Sequence, residues 1–280
     1  RAHEVHLLVP GARLREQGPR RDARRRDARE AGPGRGHRPA VAGGHAPTFW
    51  YHHILENCRQ IDVVARVEGE GAILDLMESV EGKTALKDIE GIVYRTPDGH
   101  SQLTAPRSLL PDLRALPRIQ RDTLYFGMKK MELAPEVQTS RGCFGSCNFC
   151  SLNSFYQQHP GPKIRLRPVD DVLDEVSYLY HNFGARFLRF SDDTFFTRRE
   201  ATRQRAMQIA DGILERNIKI HFVIQLRADA VDPIVLTRLK EAGLAQVMVG
   251  IEALDEETLA LYGKRTSIED NYRAARILAD

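Results

Sequence analysis

Three thiols fall within eight residues, Cys143, Cys147 and Cys150, at C-x3-C-x2-C spacing in Cys143-Phe144-Gly145-Ser146-Cys147-Asn148-Phe149-Cys150. Thiolates this close repel one another unless they are bridged, oxidised or bound to a metal. Three is an awkward number for disulfides and one ligand short of a closed tetrahedral zinc site. It suits a [4Fe–4S] cluster in which three irons take protein ligands and the fourth stays open to a small molecule. Structural zinc is the competing reading, with His159, in a loop before Pro160 and Gly161, as the fourth ligand. A dithiol redox pair is a third, although C-x-x-C chemistry needs no third thiol.

The elements around the thiols decide what could gather there. The run Pro135 to Ser140 reads as a strand leading into the cysteine loop. A helix over 169–182 carries Val172, Leu173, Val176 and Leu179 on one face, and Gly184 stops it. The strand over 186–191 runs into Asp192-Asp193, and Thr197 with Glu200 reads as a capping box for a helix to Arg216. A strand over 218–226 follows, then a helix capped by Asp232 with Pro233 in its first turn, ending at Gly243. A strand over 246–251 precedes two helices opened by Asp255 and Ser267. Repeated β–α units imply parallel strands joined by right-handed crossovers, and an open sheet and a barrel both fit.

In such folds ligands collect at the C-terminal ends of strands. The cysteine loop follows the first strand of this half, and Asp192 and Asp193 end the second. Gln225, Arg227 and Asp229 end the third, and Glu252 ends the fourth. One Asp pair alone reads as a helix cap or a solvated turn. Polar groups repeated at the same topological position point to a site.

The first half begins differently. Residues 1–40 hold 11 Arg against 5 acids, with almost no apolar periodicity after Leu14. Such a segment cannot bury enough surface to offset its ordering entropy, and it is expected to be disordered or a reading-frame artefact; the first residue is Arg, not Met. The net charge of +3 therefore conceals a mildly acidic remainder, which argues against a nucleic-acid partner. From Val41 the pattern changes. Gly43-Gly44-His45 ends a buried strand in a glycine loop, a helix follows near Trp50–Cys58, and residues 61–66 form a second strand. A helix over 70–79, a strand over 91–95 with a turn at Pro97-Asp98-Gly99, and an extended connector from Pro106 to Arg118 complete this half. No apolar run is long enough to span a bilayer, no apolar leader stands at the start, and four cysteines do not make a disulfide scaffold. A reducing cytoplasm is expected.

The stretch Thr139-Ser140-Arg141-Gly142-Cys143-Phe144-Gly145-Ser146-Cys147-Asn148-Phe149-Cys150 resembles the signature of the radical SAM superfamily. More narrowly, over about residues 41–280 the chain resembles the class with an N-terminal cobalamin-binding domain, through Gly43-Gly44-His45, Arg66-Val67-Glu68-Gly69-Glu70, Gly91-Ile92-Val93-Tyr94-Arg95 and Gly250-Ile251-Glu252. The resemblance implies an α/β chain: a partial (β/α) barrel over 131–280, incomplete at its C-terminal end, preceded over 41–130 by a remnant of a Rossmann-like cobalamin-binding domain plus connector. Cys143, Cys147 and Cys150 would ligate a [4Fe–4S] cluster whose open iron takes the amino and carboxylate groups of S-adenosylmethionine. Reductive cleavage would give a 5′-deoxyadenosyl radical that abstracts a hydrogen atom.

By position, Asp192 and Asp193 stand near the methionine amine and Phe149 by the adenine. Gln225, Glu252 and Lys264 fall where relatives place polar S-adenosylmethionine contacts, and Gly43 and Gly44 would face cobalamin. The implied partners are a small-molecule substrate and an electron donor such as a flavodoxin or ferredoxin, with no membrane. The implied activity is that of a cobalamin-dependent methyltransferase or related biosynthetic enzyme; the alternatives are a radical SAM enzyme without cobalamin and a non-catalytic zinc module. Val67 replaces the first glycine of the family's Gly-Glu-Gly-Glu pattern, Ala253 replaces the serine after Gly-Ile-Glu, and the Asp-x-His-x-x-Gly motif is absent.

Overall fold

Short buried strands and the apolar faces of the helices that pack on them organise the described residues into two units. The computed structural model describes residues 6–8, 39–124, 127–128 and 133–279. The Arg-rich stretch within 1–40 lies outside them. The first unit takes the described residues up to Leu110 together with Ser154–Gly161; the second takes Pro111–Asn153 and Pro162 onward. The border after Leu110 falls before the expected break near residue 130, and a short segment after the cysteine loop also counts with the first unit. Among the described residues no helix is long and apolar enough to cross a membrane.

The first unit is a five-stranded sheet in the order β1 (His6–Leu8), β2 (Ala40–Gly43), β3 (Val63–Ala65), β4 (Ile92–Arg95), β5 (Ser101–Leu103). β1, β2 and β3 run parallel, whereas β4 and β5 form an antiparallel hairpin. Helices α1 (His45–Asn57) and α2 (Glu70–Val80) follow β2 and β3. The two sheet faces bury different sets, Val41, Val63, Ile92 and Leu76 on one and Ala42, Val64, Val93 and Leu55 on the other. Burial on both faces explains why these strands read as continuous apolar runs.

The second unit holds a four-stranded parallel sheet in the order β6 (Glu136–Val137), β9 (Phe187–Phe190), β10 (His221–Arg227), β11 (Leu244–Gly250). Spatial order equals chain order. Helices α4 (Val169–Phe183), α5 (Glu200–Glu215) and α6 (Pro233–Glu241) pack on one face, against Val137, Leu188, Phe190, Phe222, Ile224 and Leu226. The opposite face, with Phe187, Arg189, Gln225 and Met248, is exposed. Stepwise winding with helices on one side is the barrel type of β/α arrangement, although the sheet is open among the described residues. The expected strand over 135–140 divides: β6 joins this sheet, and β7 (Ser140–Arg141) pairs antiparallel with β8 (Arg165–Leu166). A short helix, α3 (Ser151–Gln157), follows the cysteines.

Local signals act mostly as expected. Gly184 ends α4 in the left-handed conformation, and Asp232 accepts from the amides of Ile234 and Val235 at 3.0 and 3.1 Å. Asp255 caps α7 (Glu256–Leu261), and Ser267 and Asp270 exchange reciprocal bonds at the start of α8 (Ile268–Ala279). The Thr197–Glu200 capping box does not form. The Thr197 hydroxyl instead meets Thr202 and the Arg199 amide, and the helix begins at Glu200.

Candidate functional site

The cysteine loop leaves β7 through Gly142, whose φ of +90° puts it in the region that favours glycine. A side chain there would begin 1.8 Å from the Lys163 carbonyl oxygen, so no other residue fits. The loop's departure point is clamped from two sides. Asp192, buried at the end of β9, accepts from the Thr139 amide at 3.2 Å, from the Thr139 hydroxyl at 2.8 Å and from the Ser140 hydroxyl. Arg205, in mid-α5, donates to the Thr139 hydroxyl at 3.1 Å, to the Thr139 carbonyl at 3.0 Å and to the Arg167 carbonyl at 2.9 Å. One hydroxyl thus joins a buried cation to a buried carboxylate. Burial pushes the Asp192 carboxyl above its ordinary range, against the opposing pull of its hydrogen bonds and Arg205. Expected beside the methionine amine, Asp192 turns inward and holds the loop, because both its oxygens are committed there.

The loop folds back over Gly145. The point where a Gly145 side chain would begin lies 3.4 Å from the Cys143 sulfur, 3.6 Å from the Cys147 sulfur and 3.2 Å from Nη1 of Arg227. The Gly145 amide donates to the Cys143 sulfur at 3.3 Å. Burial pushes the Cys143 thiol up; Asp193 and Cys150 nearby add to this, and the Gly145 amide and Arg227 oppose it. None of the three cysteines is in a disulfide. The far end of the loop is tied down by Asn148, whose amide donates to the Tyr262 carbonyl at 2.8 Å and whose side chain donates to the Leu261 carbonyl at 3.0 Å. Phe149 is exposed and meets the Tyr262 ring edge-on at 5.2 Å between centroids.

The neighbouring strand ends complete the rim. Arg227, the last residue of β10, donates through Nε to Asp229 at 3.0 Å and through Nη2 to the Lys264 carbonyl at 2.6 Å. Its Nη1 faces the Cys147 sulfur at 3.7 Å. Lys264 is only 4% exposed, and its amine bonds Glu252 at 2.7 Å and the Gly250 carbonyl at 2.8 Å. Glu252 takes a φ of 64°, and Gly250 leaves room for the pair, since a side chain there would start 2.5 Å from the Glu252 oxygen. Gln225 is exposed two residues before Arg227, on the helix-free face of the sheet. The structure therefore brings Cys143, Cys147, Asp193, Arg227, Glu252 and Lys264 to one end of one parallel sheet. Sequence reasoning assigned no role to Arg205 and Thr139: a mid-helix arginine reads as a solvated surface residue.

Three soft thiol groups in one loop are the donor set that an iron–sulfur cluster takes. Among the described residues no group of three or more His, Cys, Asp or Glu closes on a point as a single metal ion requires. A cubane presents separate irons, so its thiolates need to surround a volume rather than a point. His159, the fourth ligand in the zinc reading, is buried in the first unit with a backbone hydrogen bond to Arg107, and burial lowers its pKa. In that unit Gly43 ends β2 and Gly44 precedes α1, with a φ of +95° and nothing within 4 Å of where a side chain would start. The His45 ring stacks on Phe155 at 4.0 Å, and the Arg66 guanidinium lies over Tyr51 and bonds Gln158.

Residues 137–280 match the model of the Radical SAM superfamily, a family that uses a [4Fe–4S] cluster and S-adenosylmethionine. An anaerobic magnesium-protoporphyrin IX monomethyl ester cyclase of Rubrivivax gelatinosus is 29% identical over 255 residues, covering 86% of this chain and 43% of that protein. An uncharacterised methyltransferase of Pyrococcus horikoshii is 29% identical over 238 residues, covering 84% and 50%. The chain thus spans about half the length of such relatives, or less. In fold it is similar to the cobalamin-dependent S-adenosylmethionine radical enzyme OxsB, with a TM-score of 0.70 at 24% identity over 86% of this chain and 34% of that one. It is also similar to the radical S-adenosylmethionine methyltransferase TsrM from Kitasatospora setae, with a TM-score of 0.67 at 19% identity, covering 86% and 47%.

Proposed function

Because the chain belongs to the radical SAM superfamily, we propose that it binds a [4Fe–4S] cluster on Cys143, Cys147 and Cys150 and serves an enzyme that acts on a small molecule. One-electron reductive cleavage of S-adenosylmethionine is the chemistry such a cluster supplies when bound. The observation that carries the reading is the folding of Cys143 and Cys147 around Gly145, at the sheet end that also holds Asp193, Arg227, Glu252 and Lys264.

The chain's own groups have distinct tasks. Asp192, Thr139 and Arg205 fix where the loop leaves the sheet. Asp193, Gln225 and Glu252 offer polar contacts to S-adenosylmethionine, with Lys264 holding Glu252 in its left-handed backbone conformation. Exposed Phe149 offers a flat apolar surface to the adenine. Cys143 must lose its proton to ligate iron, and burial, with Asp193 and Cys150 nearby, opposes that, so cluster binding is coupled to proton release.

The finer reading is methyl transfer with cobalamin; the open turn at Gly44 in the first unit leaves room for a ligand, and relatives such as the Pyrococcus horikoshii methyltransferase support the methyl transfer. A flavodoxin or ferredoxin would deliver the electron. Anaerobic reconstitution with iron and sulfide, followed by electron paramagnetic resonance after reduction, tests the main reading. The expected result is a reduced-cluster signal that is lost on Cys147→Ala; a chain that takes up zinc but no iron and sulfide overturns it. Retention of hydroxocobalamin through gel filtration tests the finer reading, and its loss from the chain counts for S-adenosylmethionine chemistry without cobalamin.

A further inference from the structure

Resting on the cluster reading above, we infer that Arg227 raises the reduction potential of the cluster by holding a fixed positive charge and a hydrogen-bond donor against the Cys147 sulfur. Three directions of its guanidinium are occupied: Asp229 at 3.0 Å, the Lys264 carbonyl at 2.6 Å and the Cys147 sulfur at 3.7 Å. The two oxygen partners fix the plane of the fork, which leaves Nη1 no direction but toward sulfur. The side chain is only 16% exposed, so solvent screens the charge weakly. Gly145 completes the arrangement. Its missing side chain leaves the space where Nη1 approaches the Cys147 sulfur, and a methyl group there would start 3.2 Å from Nη1.

The physical consequence has a definite sign. Reduction passes one electron from an external low-potential donor to the bound cluster, oxidising the donor, with no bond made or broken. The added negative charge spreads onto the thiolate sulfurs, and a nearby cation and donor stabilise the reduced state more than the oxidised one. Asp229 opposes this, being a carboxylate two residues away on the same guanidinium. Arg227 is therefore an electrostatic and positioning residue, in contact with a ligand sulfur but not itself a ligand.

The test is a potentiometric titration of the anaerobically reconstituted full chain, reduced with dithionite and followed by electron paramagnetic resonance. Arg227→Gln should lower the reduction equilibrium constant at least tenfold, about 59 mV more negative for one electron, with iron and sulfide content unchanged. Arg227→Lys, which keeps the charge, should recover part of that shift, and Asp229→Asn should move the potential the opposite way. Equal potentials in wild type and Arg227→Gln at equal iron content overturn the inference and leave the cluster reading standing. Should Arg227→Gln hold no cluster, Asp229→Asn decides: a positive shift supports the inference and an unchanged potential overturns it. A wild-type chain that binds no iron and sulfide overturns both.

Discussion

Replacing Arg205 by methionine tests whether the cysteine loop is held from behind. The guanidinium is buried and makes three hydrogen bonds, to the Thr139 hydroxyl and to the Thr139 and Arg167 carbonyls. Each such bond from a charged donor contributes about 1.5–3 kcal/mol net. Removing the cation also relieves its own desolvation, several kcal/mol in a buried setting, so the sum is not the answer. What decides is the group left behind: Asp192 stays buried with its counter-charge gone, and breaking such an arrangement costs about 3–5 kcal/mol. That is a large part of the roughly 5–15 kcal/mol that holds a domain together.

The sign of the pH dependence follows from the same network. Burial already raises the Asp192 carboxyl, and Arg205 pulls it down. Without Arg205 it rises further, so the folded chain keeps a proton that the unfolded chain has released. Stability then falls as pH rises from the ordinary carboxylate range toward the raised value. Urea unfolding of the apoprotein, followed by circular dichroism, should show a lower midpoint with an unchanged slope for Arg205→Met, and a larger deficit at pH 8 than at pH 5. A loss below about 1 kcal/mol, or a deficit that shrinks with rising pH, refutes the reasoning.

Three further outcomes follow from single positions. Val67 is buried with a φ of 58°, so Val67→Gly should be more stable than Val67→Ala by about 1 kcal/mol, the reverse of the usual order, as measured by thermal unfolding. His159 is buried and its pKa is lowered, first by burial and then by Arg66; the unfolded chain therefore binds the proton first, and stability falls as pH drops below the ordinary imidazole range. His159→Gln should remove that acid slope in a series of urea melts. Lys264→Ala frees Glu252 and the Gly250 carbonyl; binding of S-adenosylmethionine, measured by calorimetry, should weaken roughly tenfold or more, the loss of one charged contact, with the cluster's absorbance intact.

What could be read from the sequence was whatever acts locally. Asp232 with Pro233, Asp255, Ser267 and Gly184 mark helix ends because capping involves atoms within three residues. The polar ends of four strands were legible because β–α alternation fixes them all to one edge. The Thr197 capping box failed because a competing hydroxyl, Thr202, sits on the next turn. β5 and β8 are three and two residues long, too short for any alternation to show. Asp192 and Asp193 are adjacent and chemically identical, and only the course of the chain beyond β9, which turns Asp192 inward to Thr139, separates their tasks. Arg205 lies 66 residues from Thr139, and no spacing rule connects them.

Strand order in the second sheet equals chain order, and this gives the site a history in time. Cys147 precedes Arg227 by 80 residues. At about 5–20 residues per second of synthesis, the thiols emerge roughly 4–16 s before the cation that faces them. Lys264 and Glu252 come later still. During that interval the three cysteines lack the cation that faces Cys147 and are available to oxidants and to stray metal ions. Loading of iron and sulfide is then best timed after β11 has docked, and a pause in translation between Cys150 and Arg227 should increase the fraction of chains that carry oxidised thiols and no cluster.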